Sequence, residues 1–225
     1  MKQEYGLKYV SRRTFTHNGV AAMLAAGAAP AFVTHARADE PNKKLGMAVV
    51  GLGGYATRSI GPEIAACQHV RLAGVVTGDA EKGRTWAQEH GFEQDAIYSY
   101  SNFDKIVSDD RIDFVHIALP NSMHAEFAIR AAQAGKHVMV EKPMAISSQQ
   151  CEKMIAAAKQ AGVLLGVNYR LHWEPHHVTA TERLSGLAVG DLANGNYEFS
   201  WGYARALTGP NKDKVKKWLL DPKMA

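Results

Sequence analysis

A lysine stands between an acid and a proline at the end of the apolar run Val138-Met139-Val140-Glu141-Lys142-Pro143. The apolar residues predict a strand, so Lys142 stands where that strand ends. Pro143 has a fixed φ and restricts the residue before it, which limits the directions in which the lysine can leave the sheet. An ammonium group in such a place can exchange a proton with a hydroxyl group of a bound molecule. A charged strand end on the surface is the alternative.

A glycine-rich turn follows an earlier apolar run, Met47 to Gly51, and reads Gly51-Leu52-Gly53-Gly54-Tyr55-Ala56. In this G-x-G-x-x-A pattern the first glycine permits a tight turn and the second lets a pyrophosphate approach backbone N–H groups. The small Ala56 allows a helix to pack closely on the strand. The turn therefore predicts a dinucleotide site, with a purely structural glycine turn as the alternative.

The end of the next apolar run, Val70 to Val76, bears on which dinucleotide would bind. Thr77 follows it directly, and Asp79 and Lys82 come within one helical turn. A hydroxyl and an ammonium suit the 2′-phosphate of NADP, because phosphate gains charge-assisted hydrogen bonds. A carboxylate suits the ribose hydroxyls of NAD, so Asp79 leaves NAD open. These residues favour NADP over NAD.

A third strand end, after Phe114 to Leu119, carries Asn121 and His124. Ligands of open α/β sheets bind at the carboxyl ends of the strands, which would place both residues at the mouth of the same cleft. Two alternatives remain open. Asn121 or Ser122 could cap the following helix, and His124 could be structural.

These chemical groups need a sheet that brings strand ends together. Apolar strands alternate with helical segments at Glu81 to His90, Ala125 to Ala134 and Gln149 to Ala161, and a last strand spans Val163 to Tyr169. Such alternation predicts an α/β fold with a doubly wound parallel sheet, a Rossmann domain, joined by right-handed crossovers. We assign residues 39–168 to this domain.

The net positive charge of the chain comes from its first 38 residues. The 225 residues carry a formal net charge of +4, and residues 1–38 hold five basic residues against one acid, so the remainder is balanced. That balance excludes a nucleic-acid footprint. The two cysteines lie far apart in helical patterns, which favours thiols over a disulfide or a metal pair.

The same 38 residues have the pattern of an export signal. Ser11-Arg12-Arg13-Thr14-Phe15 precedes an apolar stretch from Gly19 to Val33, and Ala36-Arg37-Ala38 is a small-x-small cleavage pattern. We therefore predict a twin-arginine-type signal peptide over residues 1–38, cleaved after about Ala38. This prediction implies a periplasmic protein and a passage through the twin-arginine export machinery, which reads such signals. An ordinary amphipathic helix or a membrane anchor is the alternative.

The glycine turn, Pro120-Asn121-Ser122-Met123-His124, Glu141-Lys142-Pro143 and Tyr169-Arg170 together resemble the glucose-fructose oxidoreductase (Gfo/Idh/MocA) family. The resemblance runs from about Leu45 to the end of the chain, and with the leader it is closest to the periplasmic members. It implies an NADP-dependent sugar oxidoreductase that oxidises an aldose at C1 to a lactone and reduces a second sugar carbonyl with tightly bound cofactor. An NAD-dependent dehydrogenase of another polyol or sugar derivative, or a non-catalytic nucleotide- or sugar-binding protein, remains open.

The resemblance also implies roles for individual residues. Lys142 would be the catalytic lysine, and Glu141 and Asn121 would line the nicotinamide ribose. The full cofactor-binding set would be Gly51, Gly53, Gly54, Tyr55, Ala56, Thr77, Lys82, Tyr100, Leu119, Pro120, Asn121, His124, Glu141, Lys142 and Arg170, with Thr77 and Lys82 on the 2′-phosphate and Tyr100 against the adenosine. The sugar would contact Lys142, Tyr169 and His172. No metal is expected, because Pro175 interrupts the helix that would align His172 with His176.

The resemblance further implies a second domain and a homo-oligomer. Residues 169–225 would begin an α+β substrate and oligomerisation domain with an open, mostly antiparallel sheet, and Asp191 to Trp201 reads as its first strand. Family members carry there a short helix with an aspartate and a tyrosine or histidine that act with the lysine. The sequence ends at Ala225, before that helix, so we expect this domain to be incomplete.

Overall fold

A single parallel sheet of six strands organises residues 43–185, the part of the chain that the computed structural model describes. The strand order is β3-β2-β1-β4-β5-β6, and all neighbouring pairs are parallel. The predicted doubly wound Rossmann sheet is therefore confirmed. The leader and the strand predicted at Asp191 to Trp201 lie outside the described residues. The strands are β1 Leu45–Val50, β2 Val70–Val76, β3 Ile97–Tyr98, β4 Phe114–Ile117, β5 His137–Glu141 and β6 Leu165–Asn168.

Helices connect the strands, and their ends follow local capping chemistry. The helices are α1 Gly61–Ala66, α2 Ala80–His90, α3 Asn121–Gln133, α4 Ser148–Ala161 and α5 Pro175–Ser185. The side chain of Ser147 caps α4 by accepting a hydrogen bond from the Gln150 N–H at 3.3 Å. Glycines in the left-handed region, Gly91 and Gly162, end α2 and α4. Within residues 43–185, no helix is both long and apolar enough to cross a membrane.

The core lies on both faces of the sheet, which explains why the central strands read as continuous apolar runs. Val49, Val75, Val115 and Ile117 are fully buried. Phe103 and Phe127 pack edge to face over the sheet with ring centroids 5.1 Å apart. Burial of this kind is the main stabilising contribution to the fold, and it leaves the strand ends as the places where polar side chains can gather.

The structure differs from the sequence-based expectations in several local features. The short β3 was missed, because two residues, Ile97 and Tyr98, are too few to show a period. The helix predicted from Ala125 begins four residues earlier, at Asn121. The helix predicted after the glycine turn begins with a π-helical turn, Ala56–Ile60, before α1.

Candidate active site

The ends of four strands, β1 to β4, are tied to one another by backbone hydrogen bonds just beyond their last residues. The Gly51 N–H donates to the Val76 carbonyl at 2.9 Å, and the Ala118 N–H donates to the Val50 carbonyl at 2.8 Å. The Thr77 N–H likewise donates to the Tyr98 carbonyl at 2.9 Å. These bonds continue the parallel ladder into the loops, so the residues predicted to do chemistry are held at the carboxyl edge of the sheet.

The glycine turn at this edge packs directly against the end of β4. Gly51 has φ +96°, and a Cβ there would lie 2.8 Å from both the Ala118 carbonyl oxygen and the Leu119 Cδ2. Ala56 is fully buried, which confirms the close helix packing expected of a small residue. The half-buried Gly53 and Gly54 lie between them, and the Gly53 carbonyl accepts a hydrogen bond from the Thr57 N–H at 3.0 Å. The geometry suits a dinucleotide, because the first glycine makes the tight turn at the sheet edge and the small Ala56 lets the helix pack closely on the strand.

The residues that follow β2 form a second polar group beside the turn. The Lys82 ammonium donates to the Leu52 carbonyl at 3.2 Å, so it lies on the glycine turn. The Asp79 carboxylate accepts from the Lys82 N–H at 3.1 Å and caps α2. The buried Thr77 hydroxyl accepts from the Asp79 N–H at 3.1 Å and keeps its own hydrogen for donation. A cation and a hydroxyl donor are thus assembled near the turn, whereas the carboxylate is engaged by the helix.

The Tyr100 ring lies beside Gly78, in the turn that follows β2. A Cβ on Gly78 would meet its ring at 3.4 Å, and its ring packs edge to face on Phe127 with centroids 5.6 Å apart. Burial raises the pKa of Tyr100 above its ordinary value. Arg130 lies over the Phe127 ring, 4.9 Å from its centroid, and donates to the Tyr100 carbonyl at 3.4 Å. These contacts fix the aromatic surface next to the turn after β2.

The helix that follows β4 is not capped by either of the residues considered as its N-cap, Asn121 and Ser122. The N-cap residue of α3 is Pro120, which makes no side-chain cap, and Asn121 is the first helical residue. Neither Asn121 nor Ser122 is therefore the N-cap. The half-buried Asn121 stays a candidate for the cofactor ribose.

His124 is fully buried and joins two loops. Its Nδ1 lies 2.9 Å from the Pro143 carbonyl oxygen, and its Nε2 lies 2.9 Å from the carbonyl oxygen of the buried Leu119. Both ring nitrogens are thus occupied by the chain itself. This geometry favours a structural role, the alternative left open by the sequence, in which His124 joins the ends of β4 and β5.

Lys142 emerges beside this junction, at the end of β5. It is exposed, and the peptide bond that joins it to Pro143 is cis. Among the described residues its ammonium forms no salt bridge. The ammonium is therefore accessible to a ligand at the edge where the glycine turn lies.

Glu141, next to Lys142, is held by two side chains that the sequence reasoning missed. Its Oε1 accepts from the Asn168 amide at 2.7 Å and lies 3.0 Å from His116 Nε2. Burial raises the pKa of Glu141, but the hydrogen bonds from His116 and Asn168 and the charges of His116 and Lys142 together hold it below its ordinary value. His116 interrupts an apolar strand, and this signal in the sequence could have predicted that its imidazole has a polar partner.

Tyr55 lies near both Glu141 and Arg170. Burial raises the pKa of Tyr55, and the charges of Glu141 and Glu63 raise it further, whereas Arg170 and a hydrogen bond to Asn168 act in the opposite direction. The Tyr55 side chain is nevertheless 40% exposed.

The predicted sugar contacts beyond β6 are open to solvent. Tyr169 and His172 are exposed, and His172 packs edge to face on Trp173 with ring centroids 4.9 Å apart. In the described ranges no cluster of three or more His, Cys, Asp or Glu side chains could hold a metal ion. The sugar contacts stay predictions.

Residues 45–169 match the model of a protein family described as "Oxidoreductase family, NAD-binding Rossmann fold" (GFO_IDH_MocA). The chain belongs to this family. The match begins at the first residue of β1 and ends directly after β6, so it covers the whole described sheet. The Gfo/Idh/MocA resemblance expected from the four motifs is confirmed.

Several relatives of the family are similar to this chain. An aldose-aldose oxidoreductase from Caulobacter crescentus is 42% identical, with a TM-score of 0.66 over 73% of this chain and 52% of that chain. The 3-ketoreductase KijD10 from Actinomadura kijaniata, in a complex with NADP, is 26% identical, with a TM-score of 0.58 over 66% of this chain and 46% of that chain. A D-xylose 1-dehydrogenase (NADP(+)) from Haloferax volcanii is 28% identical over 64% of this chain and 42% of its own length. The chain thus spans about half of the length of these relatives, or less.

Replacement of Gly51 by alanine tests the close packing of the turn. Gly51→Ala should lower the free energy of unfolding by the ~1–2 kcal/mol of a left-handed alanine and by a further ~1–3 kcal/mol for the overlap with Ala118 and Leu119. Gly91→Ala is the matched control, because Gly91 also has a positive φ but nothing lies within 4 Å of its Cβ position. Urea unfolding measures both. Equal losses in the two variants would contradict the packing role of Gly51.

Proposed function

We propose that this protein is an NADP-dependent sugar oxidoreductase that oxidises an aldose at C1 to a lactone and reduces the carbonyl of a second sugar with tightly bound cofactor. The observation that carries the proposal is the exposed Lys142 beside the anchored Glu141, at the same sheet edge as the glycine turn. The 42% identity with an aldose-aldose oxidoreductase supports the use of two sugars.

The side chains of the site can manage the proton that such a reaction moves. When bound, NADP would accept a hydride from C1 of the first sugar and return a hydride to the carbonyl carbon of the second. Lys142 would act as a neutral amine that takes the proton of the C1 hydroxyl as the lactone carbonyl forms. The resulting ammonium would give that proton to the carbonyl oxygen of the second sugar, which restores the amine. Glu141 and Asn121 would hold the nicotinamide ribose, so that the reacting carbon lies near Lys142.

The contacts after β2 support NADP. Lys82 brings a cation to the glycine turn, and Thr77 keeps a hydrogen that a phosphate oxygen can accept. Asp79, the group that would favour NAD, is engaged as the cap of α2 through one oxygen. Two relatives point the same way, because KijD10 was solved in a complex with NADP and the D-xylose 1-dehydrogenase carries NADP(+) in its name.

One observation favours a second candidate, an NAD-dependent dehydrogenase of another polyol or sugar derivative. Asp79 is exposed and has a second carboxylate oxygen that a ribose hydroxyl could reach. Added NAD would sustain turnover in that case, whereas an enzyme with retained NADP would cycle between two sugars without added nucleotide.

The leader extends the proposal to the place of action. We infer that residues 1–38 direct the folded, NADP-loaded protein through the twin-arginine machinery to the periplasm. A periplasm offers no obvious supply of NADP, so an enzyme there gains from a cofactor that it regenerates on a second sugar without release. The homo-oligomer implied by the family resemblance stays a prediction.

The nucleotide content of the purified protein tests the cofactor proposal. Denaturation should release stoichiometric NADP, identified by mass. Lys82→Ala should weaken NADPH binding roughly 10- to 100-fold, because a charge-assisted hydrogen bond contributes ~1.5–3 kcal/mol, and should leave NADH binding nearly unchanged. Lys159→Ala, on an exposed face of α4, is the control. An empty protein that prefers NAD would overturn NADP in favour of the second candidate.

The role of Lys142 is tested separately from binding. Lys142→Ala should lower kcat for sugar oxidation roughly 10²- to 10⁴-fold, the usual contribution of general acid-base catalysis, and this loss should be much larger than the change in the Kd for NADPH. Stopped-flow absorbance and fluorescence titration measure the two quantities. A variant that keeps wild-type kcat would show that another group moves the proton.

Export can be checked by cell fractionation. The double variant Arg12→Lys, Arg13→Lys should accumulate in the cytoplasm with its leader uncleaved, because the signal is read through the arginine pair. A double variant at Lys2 and Lys8, changed to glutamine, should still reach the periplasm. Equal export of both variants would contradict a twin-arginine signal.

A further inference from the structure

Three neighbouring strands each contribute one polar side chain to a cluster in which two of the side chains contact one carboxylate oxygen of the third. His116 comes from β4, Glu141 from β5 and Asn168 from β6. His116 Nε2 lies 3.0 Å from Glu141 Oε1, and the Asn168 amide donates to the same oxygen at 2.7 Å. The parallel pairing of Glu141 with Asn168 sets the second contact, whereas His116 is in register with Met139 and reaches Glu141 two residues further along β5.

A histidine at position 116 would destabilise the fold unless its imidazole were hydrogen-bonded, and its partner is Glu141. Its strand neighbours Val115 and Ile117 are fully buried, and the His116 and Glu141 side chains are only 11% and 12% exposed. A polar group in such surroundings destabilises the fold unless it is hydrogen-bonded. The carboxylate can only accept, so Nε2 must carry the hydrogen. The imidazole is thus oriented by this bond.

The contacts leave the carboxylate with one engaged and one available oxygen. Among the described residues, both hydrogen bonds to the Glu141 side chain go to Oε1, so Oε2 is left for a ligand at the sheet edge. Two ionisable groups lower the pKa of this carboxylate, His116 from β4 and the adjacent Lys142. The Glu141 charge in turn raises the pKa of Tyr55, in the turn after β1, and the Arg170 charge lowers the pKa of Tyr55. The environment favours a carboxylate that stays charged and keeps one orientation.

We propose that His116 is a positioning residue of the oxidoreductase, which fixes the Glu141 carboxylate in the orientation that presents Oε2 to the cofactor ribose next to Lys142. The assignment rests on the proposed function for its ribose and lysine partners. The hydrogen bond itself can be measured without cofactor or sugar.

The direct test is a titration of Glu141 by ¹³C NMR in protein labelled at the glutamate carboxyl carbons, with Glu141→Gln to assign the signal. His116→Phe keeps an aromatic ring but removes the donor, so the titration midpoint of Glu141 should rise by about 1–3 pH units. His116→Gln retains an N–H donor and should restore part of the difference. His137→Gln, at the amino end of β5, is the matched control and should leave the midpoint unchanged.

Cofactor affinity provides a second readout. The carboxylate of the His116→Phe variant should be protonated at a higher pH, so the acid loss of NADPH binding should begin at a higher pH than in the wild type. The wild-type protein also tests the proposal by itself, because ¹⁵N signals of His116 must show a protonated Nε2 throughout the neutral range. That measurement decides the matter if His116→Phe does not fold.

Two results would overturn the proposal: an unprotonated Nε2 in the wild type, or a Glu141 midpoint that does not change in a folded His116→Phe variant. Failure of the proposed function looks different. A wild-type protein that binds no NADPH and turns over no sugar would refute the proposed sugar oxidoreductase activity. If Glu141 still showed the His116-dependent titration, the hydrogen bond between the two side chains would stand.

Discussion

The packing of Gly51 against the end of β4 is the constraint on which the candidate site depends. β1 and β4 are neighbours in the sheet, although the chain passes through β2 and β3 between them. The turn after β1 therefore has to pass beside the loop after β4, and only a residue without a Cβ fits against the Ala118 carbonyl oxygen there. Because the strand order reverses at this point, a crevice opens outside the carboxyl ends of the strands, where dinucleotides bind in folds of this kind.

The polar groups around that crevice are held by the protein before any ligand arrives. His124 contacts the carbonyl oxygens of Leu119 and Pro143, which ties the loops after β4 and β5 together. Glu141 is held by His116 and Asn168 across three strands. Groups that are already oriented lose little further freedom on binding, so more of the interaction energy is available for affinity and for catalysis. Lys142 contrasts with them, because it is exposed and accessible to a ligand.

Several parts of the fold could be predicted because their causes are local. The buried strands show as apolar runs, the glycine turn requires particular residues, and a lysine after a strand must emerge at the carboxyl edge of a parallel sheet. The two-residue β3 could not be predicted, because its pairing with the end of β2 depends on a neighbour rather than on its own pattern. The start of α3 at Asn121 was also missed, since Pro120 occupies the N-cap without a capping side chain.

The sequence by itself determined the class of the fold, the family, the position of the glycine turn and the edge at which Lys142 emerges. These follow from the period of apolar residues and from backbone requirements that few residue types meet. Only the tertiary structure decided which polar side chains meet. His116 and Glu141 are 25 residues apart in sequence and come together because β4 and β5 pair in one register. The buried His124 likewise meets the carbonyl oxygens of Leu119 and Pro143 only in the folded protein. Contacts between side chains from different strands depend on register and packing, which one chain's local pattern does not encode.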